Sequence, residues 1–136
     1  MKQQWIKRVA ALALGGAALA TAGLAQTVEA EQFELDGVSV TVFAQDFLTE
    51  EEVMTLRLVG QNRDALAVFV TAGEGFAALA VAPQEGFVRG GVPVASASAL
   101  SGLPDLGAAR AAALEACDAA RDSAEACAVV LEIAPR

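Results

Sequence analysis

The chain has 136 residues, of which 55% are hydrophobic, 5% aromatic and 19% charged, with nine basic residues, seventeen acidic residues and no histidine. This length accommodates one small domain, and the low charged fraction argues against intrinsic disorder. Without histidine the chain has no Ser-His-Asp or Cys-His catalytic arrangement and lacks the commonest metal ligand. Composition therefore excludes the usual hydrolase mechanisms before any element is placed.

The first 25 residues are predicted to be a secretory signal peptide. Its positive segment consists of Lys2, Lys7 and Arg8. Residues 9–28 follow without a charge, and small residues at Gly23 and Ala25 place cleavage between Ala25 and Gln26, with a second site after Ala30. The apolar run is short and rich in alanine and glycine, so we expect no stable membrane anchor after cleavage. The adjacent basic residues Lys7 and Arg8 are not a twin-arginine pair. We therefore predict export by the general secretory route to the periplasm or beyond.

Removal of this segment changes the charge balance. Residues 26–136 contain six arginines, seventeen acids and no Lys, His, Trp or Tyr, which gives a net charge of −11. Without lysine there is no Schiff base and no phosphate-loop lysine, and we predict neither a cofactor nor a metal. The arginines are scattered singly, so no basic patch for nucleic acid is expected. The acidic surface favours solubility or the steering of a basic partner.

The first predicted elements are a strand and a helix. Residues 38–43 alternate between apolar and polar side chains, which is typical of a half-buried strand. Thr49 and Glu52 form a capping box at the start of a helix that ends at Gly60. The acidic residues 50–52 are interpreted as this helix start rather than as a calcium site. The apolar stripe of the helix is either Val53, Leu56 and Val59 or Met54 and Leu58.

The middle of the chain is predicted to supply the central strands. Two apolar runs, residues 65–71 and 76–82, flank a glycine-containing segment, which indicates a hairpin. Residues 83–86 are expected to turn. Glycine and proline weaken residues 92–97, which form at best an edge strand, and residues 100–106 are expected to be a loop.

The C-terminal part is predicted to be a helix followed by a strand. Asp105 is the N-cap of an alanine-rich run that ends at Arg121 and has high helix propensity. Residues 127–133 then alternate, which places one set of apolar side chains on a single face of a strand. This set consists of Cys127, Val129, Leu131 and Ile133.

The two cysteines are predicted to form a structural disulfide. Cys117 lies on the inner face of the predicted helix, and Cys127 opens the next strand. An even number of cysteines in an exported chain indicates a disulfide, because the destination compartment is oxidising. The alternatives are a redox-active pair, which would normally be Cys-x-x-Cys, and a metal site, for which two thiols without histidine are too few ligands.

Several segments resemble a group of small exported bacterial proteins of unknown function. The matching segments are residues 46–50, 59–60, 76–86, 108–117 and 127–135. Some members of the group carry the label 5-aminolevulinic acid synthase, an activity that needs a lysine for pyridoxal phosphate. This chain lacks the aromatic pair that usually precedes the strand at Ala77 and the histidine often found ahead of the final helix, and it has extra residues around 62–74. The shared motifs are structural, so the resemblance implies a fold rather than a reaction.

These patterns together predict an α+β domain over residues 37–136, preceded by a lead segment at 26–36 and the signal helix. We expect a mostly antiparallel sheet of four or five strands with two helices packed on it. The predicted function is a non-catalytic module that binds a protein or a small ligand at the sheet edge or in a helix–sheet groove. The alternatives are an acidic inhibitor or partner of a basic secreted protein and a carboxylate-based enzyme. Arg89 is a weak candidate for anion recognition, against the interpretation of an exposed loop arginine.

Overall fold

A computed structural model of the protein describes residues 28–69 and 75–136. The elements in chain order are β1 (Glu29–Leu35), β2 (Val38–Ala44), α1 (Glu50–Val59), α2 (Arg63–Phe69), β3 (Phe76–Val81), β4 (Val88–Arg89), β5 (Val92–Pro93), β6 (Ser98–Leu103), α3 (Leu106–Ala120) and β7 (Ala128–Pro135). Five strands form an antiparallel sheet in the order β1-β2-β7-β3-β6, and β4 pairs only with β5. The predicted α+β class is confirmed. The predicted signal peptide and its cleavage site between Ala25 and Gln26 lie outside the described residues.

The sheet begins with a tight hairpin. Asp36 and Gly37 have φ values of 47° and 81°, and Leu35 pairs with Val38 across this two-residue turn. Both central residues of a type I′ turn need positive φ, which Asp-Gly accommodates. The structure thus places residues 29–35, assigned from the sequence to a lead segment, in the sheet as its edge strand β1.

The two faces of the sheet pack against helices with side chains of different size. On one face, α1 and α2 cover a core of larger side chains that includes Val40, Leu56 and Leu131. On the other face, α3 lies on β3, β6 and β7, and the contact is made of small residues. Those fully buried small residues include Ala80 on β3 and Ala109 and Ala113 on α3. Alanine on both sides lets the helix approach the sheet closely. Among the described residues no helix is both long enough and apolar enough to cross a membrane.

Two predicted elements in the middle of the chain are wrong, namely the strand at residues 65–71 and the loop at residues 100–106. Residues 65–71, predicted as a strand, belong largely to α2 (Arg63–Phe69), which starts after Asn62, whose Oδ1 accepts the Ala65 N–H at 3.0 Å. The partners of β3 are therefore β6 and β7 and not a preceding strand. Residues 100–106, predicted as a loop, contribute to β6. Residues 92–97 supply only the two residues of β5 to a ladder.

A bulge in β7 overturns the single-face prediction for residues 127–133. Leu79 pairs with Leu131 and Ala80 with Val129, so Val130 is an extra residue on β7. A bulge shifts the alternation of side chains by one position. Cys127 and Val129 consequently pack under α3, whereas Leu131 and Ile133 face α1 and α2.

Candidate functional site

The carboxylate of Glu52 is the most completely buried acidic group of the described residues. Its exposure is 0%, although it belongs to the first turn of a surface helix. The predicted capping box is confirmed: Thr49 Oγ1 accepts the Glu52 N–H at 3.1 Å, and Glu52 Oε1 accepts the Thr49 N–H at 3.0 Å. Glu52 Oε2 also accepts the N–H groups of Phe87 and Val88 at 2.6 and 2.9 Å. One side chain therefore caps α1 and anchors the loop that leads into β4.

Two opposing effects act on the pKa of Glu52. Burial alone would raise the pKa, because it disfavours the charged form. The donated N–H groups of Thr49, Val88 and Phe87 and the Arg89 guanidinium stabilise the charged form, and together they hold the pKa below its usual range. Glu52 is thus ionised at neutral pH in spite of its burial.

Arg89, the candidate for anion recognition, binds this internal carboxylate. Its Nη2 lies 3.2 Å from Glu52 Oε1 and donates to the carbonyl oxygen of Phe47 at 3.3 Å. Gly86 lies against the pair with a φ of +71°, and a Cβ at this position would overlap Arg89 Nε and Glu52 Oε2. The Arg89 side chain is 37% exposed, but its guanidinium is bound to the buried carboxylate, which leaves an external anion site at Arg89 without structural support.

Pairing of an arginine with a carboxylate recurs throughout the described residues. Each arginine there forms a salt bridge with a carboxylate of the same chain. The pairs are Arg57–Glu31, Arg63–Asp36, Arg89–Glu52, Arg110–Glu132, Arg121–Asp118 and Arg136–Glu34. The remaining described carboxylates have no arginine partner, so the negative net charge is displayed as uncompensated carboxylates.

A cleft of about 610 Å³ opens where β1 begins and β2 ends. We call it the end cleft. Its lining residues are Val28, Glu29, Ala44, Gln45, Asp46, Phe47, Pro83, Glu125, Ala126 and Ala128. The three carboxylates among them, those of Glu29, Asp46 and Glu125, all lack an arginine partner. Within residues 28–69 and 75–136, no group of three or more acidic or cysteine side chains is arranged to hold a metal ion.

The outer face of α1 is a second concave surface, a shallow groove of about 520 Å³. We define the α1 outer face as Glu50, Glu51, Met54, Thr55 and Leu58. Met54 and Leu58 are 60% and 52% exposed. The inner stripe of the helix is the first of the two predicted alternatives, with Leu56 and Val59 buried and Val53 partly buried.

The structure joins Cys117 and Cys127 in a disulfide, with an Sγ–Sγ distance of 2.05 Å and a Cα–Cα distance of 6.2 Å. Both cysteines are buried, and the Cys127 N–H donates to Asp118 Oδ1 at 2.9 Å. Cys117 lies in the last turn of α3, whereas reactive thiols favour helix N-termini. The bond therefore ties the end of α3 to the start of β7.

Glu85 joins three segments that are distant in sequence. Its Oε1 accepts the Ser96 hydroxyl at 2.6 Å, and its Oε2 accepts the Ser123 hydroxyl at 2.6 Å and the N–H groups of Ser123 and Asp122 at 2.7 and 2.9 Å. These donors, foremost the hydroxyls of Ser123 and Ser96, lower the pKa of Glu85 to about 2. The turn at 83–86 was predicted from the sequence, but this role of Glu85 was not.

The hydrogen bonds of Glu85 predict an acid-dependent loss of stability. Because the folded-state pKa is depressed, the contribution is complete above the ordinary value of 4.5 and is lost as the pH falls toward 2. We expect Glu85→Gln to lower the urea midpoint at pH 7, and we expect the gap from the wild type to narrow at pH 2. Glu115→Gln on the exposed side of α3 is the control and should change neither value. If the urea midpoints of Glu85→Gln and the wild type differed equally at pH 7 and pH 2, the stabilising role of the Glu85 carboxylate would be contradicted.

Comparison with protein families, curated proteins and solved structures found no match for this chain. Function is therefore inferred from the charges, burial and hydrogen bonds of the described residues. Sequence patterns located the capping box and the disulfide. They missed the binding of Glu52 to the Phe87 N–H and the binding of Glu85 to the Ser123 N–H, because each hydrogen bond joins residues more than thirty positions apart.

Proposed function

We propose that the protein is an exported, non-catalytic binding domain that acts in the periplasm or outside the cell and belongs to the small exported proteins it resembles. The signal-like first 25 residues support export. The Cys117–Cys127 disulfide supports an oxidising destination, since disulfides persist in such compartments and are rare in the cytosol. A disulfide also suits a domain of this size, whose hydrophobic core is limited.

The carboxyl groups of the domain support binding rather than catalysis. A carboxylate enzyme needs one acid whose pKa is raised, so that it can donate a proton. Five carboxyl groups of the described residues have a pKa outside its usual range, and in each of them hydrogen bonds or an arginine partner lower the pKa. These groups are Glu31, Asp36, Glu52, Glu85 and Asp118. They serve as structural acceptors and not as proton donors.

A more specific form of the proposal is that the partner is a basic secreted protein. It is supported by the salt bridge that each described arginine forms with a carboxylate. Since each described arginine is paired with a carboxylate of this chain, the carboxylates that remain unpaired are the charges available to an incoming molecule. A field of one sign attracts an oppositely charged partner over a Debye length and raises the rate of encounter. The same field repels nucleic acids and anionic membranes.

Capture at two salt concentrations tests this proposal. The mature protein, residues 26–136, is immobilised and exposed to periplasmic extract at about 50 mM and about 500 mM NaCl, which changes the screening length severalfold. We expect one basic protein to be captured in stoichiometric amount at low salt and released at high salt. A variant with Glu29→Gln, Asp46→Asn and Glu125→Gln in the end cleft tests whether that cleft contributes. Salt-insensitive capture of an acidic protein, or no capture, would contradict the proposal.

A further inference from the structure

We infer that the α1 outer face is a docking surface for a cationic amphipathic helix of the partner protein. The inference rests on the proposed function, because it assumes a partner with positive charge, and it adds the place and the type of contact. Two independent features of the helix support it: an apolar ridge that the fold does not use, and carboxylates beside this ridge that no arginine neutralises.

The apolar ridge consists of Met54 and Leu58. They are four positions apart, so their side chains are neighbours on one face of α1. The core already uses the opposite stripe, in which Leu56 and Val59 are 0% and 1% exposed. Met54 and Leu58, 60% and 52% exposed, do not belong to the core cluster that packs α1 on the sheet.

The outward face of α3, the other long helix, has no comparable apolar ridge. Its exposed positions carry charged or small residues, namely Gly107, Arg110, Ala111, Glu115, Asp118, Ala119 and Ala120. Of the two longer helices, only α1 presents large apolar side chains to solvent. Methionine is a flexible, polarisable side chain that adapts to the surface of a partner. Met54 and Leu58 thus fit a contact with another molecule.

The charges beside the ridge specify a cationic occupant. Glu50 and Glu51 line the same groove and have no arginine partner. Arg57, the one cation of α1, is held by both carboxylate oxygens of Glu31, at 2.6 to 3.0 Å. The positive end of the helix dipole amounts to about half a charge and does not balance these acids. A second copy of this chain would bring the same carboxylates, and an anionic membrane would be repelled.

The shape of the ridge favours a helical occupant. Side chains at positions i and i+4 form the ridge that packs into the groove of a second helix in the commonest helix pairing. A partner helix with leucine-like residues on one stripe and lysine or arginine beside it would cover Met54 and Leu58 and meet Glu50 and Glu51. Helix-in-groove recognition uses anchors at this spacing.

The probe for the test is a synthetic amphipathic helix built only of leucine and lysine, titrated into the mature protein. Its affinity is measured by calorimetry and its location by amide shifts in NMR spectra. We expect Met54→Ser with Leu58→Ser to weaken binding about tenfold or more, equivalent to about 1.4 kcal/mol. The matched control is Val68→Ser with Val92→Ser, whose parent side chains are 72% and 63% exposed elsewhere. This control should bind within about twofold of the wild type.

A second pair of variants tests the charges. Glu50→Gln with Glu51→Gln should weaken binding and flatten its dependence on salt, whereas Asp64→Asn with Glu115→Gln should leave the affinity within about twofold. A peptide in which glutamine replaces leucine should bind weakly to all variants. Circular dichroism melts confirm that each variant is folded.

The outcomes separate this inference from the proposed function. Tight peptide binding that the Met54 and Leu58 changes do not weaken would overturn the docking surface and leave a basic partner in place. Binding of anionic vesicles, or a concentration-dependent dimer abolished by the same changes, would overturn it in favour of another occupant. Salt-sensitive capture of a basic protein without any peptide binding would also overturn it. Failure to capture a basic protein would instead remove the proposed function.

Discussion

Glu52→Ala is expected to lower the free energy of unfolding by about 2–5 kcal/mol, because each buried N–H group left without an acceptor costs about 1–3 kcal/mol. The change leaves the Phe87 and Val88 N–H groups without their acceptor and Arg89 without its carboxylate. It also removes half of the capping box of α1. Since domains of this size are stable by roughly 5–15 kcal/mol, the loss is a large part of the total.

Chemical denaturation of residues 26–136 followed by far-ultraviolet circular dichroism measures this effect, because this part of the chain has no tryptophan or tyrosine to report by fluorescence. Glu51→Ala is the matched control, since this neighbouring acid is exposed and should cost only a few tenths of a kcal/mol through the helix dipole. Glu52→Gln keeps the shape without the charge and should fall between the two. Equal midpoints for the Glu52→Ala and Glu51→Ala variants would show that the buried carboxylate adds no stability.

Loss of the Cys117–Cys127 disulfide is expected to destabilise the domain by about 3 kcal/mol, the value of the chain-entropy model for a loop of this size. The double variant Cys117→Ala/Cys127→Ala and the reduced wild type should unfold at similar denaturant concentrations. Reductant should have no effect on the variant, which is the internal control.

Thiol titration of the protein under denaturing conditions tests the bond directly. No free thiol is expected without reductant and two are expected with it, because both cysteines belong to the bond. Two free thiols in the untreated protein would contradict the disulfide and would also remove an argument for the oxidising compartment.

The parts of the fold that were predictable have local signals. The capping box at Thr49 and Glu52 and the N-cap at Asp105 are spacings of three residues or fewer between a side chain and the backbone it binds. The strand at residues 38–43 has one half-buried polar side and one core-facing side, so its alternation is visible in the sequence. These elements follow from short-range chemistry that tertiary contacts do not override.

The elements that were missed depend on context. Residues 65–69 are a short apolar run without alternation, a pattern that helices and strands share, and the helix start at Asn62 was overlooked. The edge strand β1 has acids at three of its seven positions, two of them exposed, and resembles a linker, although the Asp36-Gly37 turn signals a hairpin. Val130 forms a bulge in β7, and no sequence pattern predicts it.

The candidate sites divide in the same way. The disulfide follows from the number of cysteines and their predicted elements. The binding of Arg89 to Glu52 and the contacts of Glu85 with Ser96 and Ser123 arise only when segments far apart in the chain meet. The exposure of Met54 and Leu58 was one of two alternatives that the helical period allowed, and packing on the sheet selected between them.

The position of β7 in the sheet determines when the domain can fold. β7 pairs with β2 on one side and with β3 on the other, so in the five-stranded sheet it is the element that joins the β1–β2 hairpin to the β3–β6 pair. Pairs such as Val40 with Ile133 close a long loop, which slows folding. A chain that crosses a membrane from its N-terminus onward cannot complete this sheet before β7 has crossed. Under the proposed export, this strand order would delay completion of the sheet until β7 has crossed the membrane.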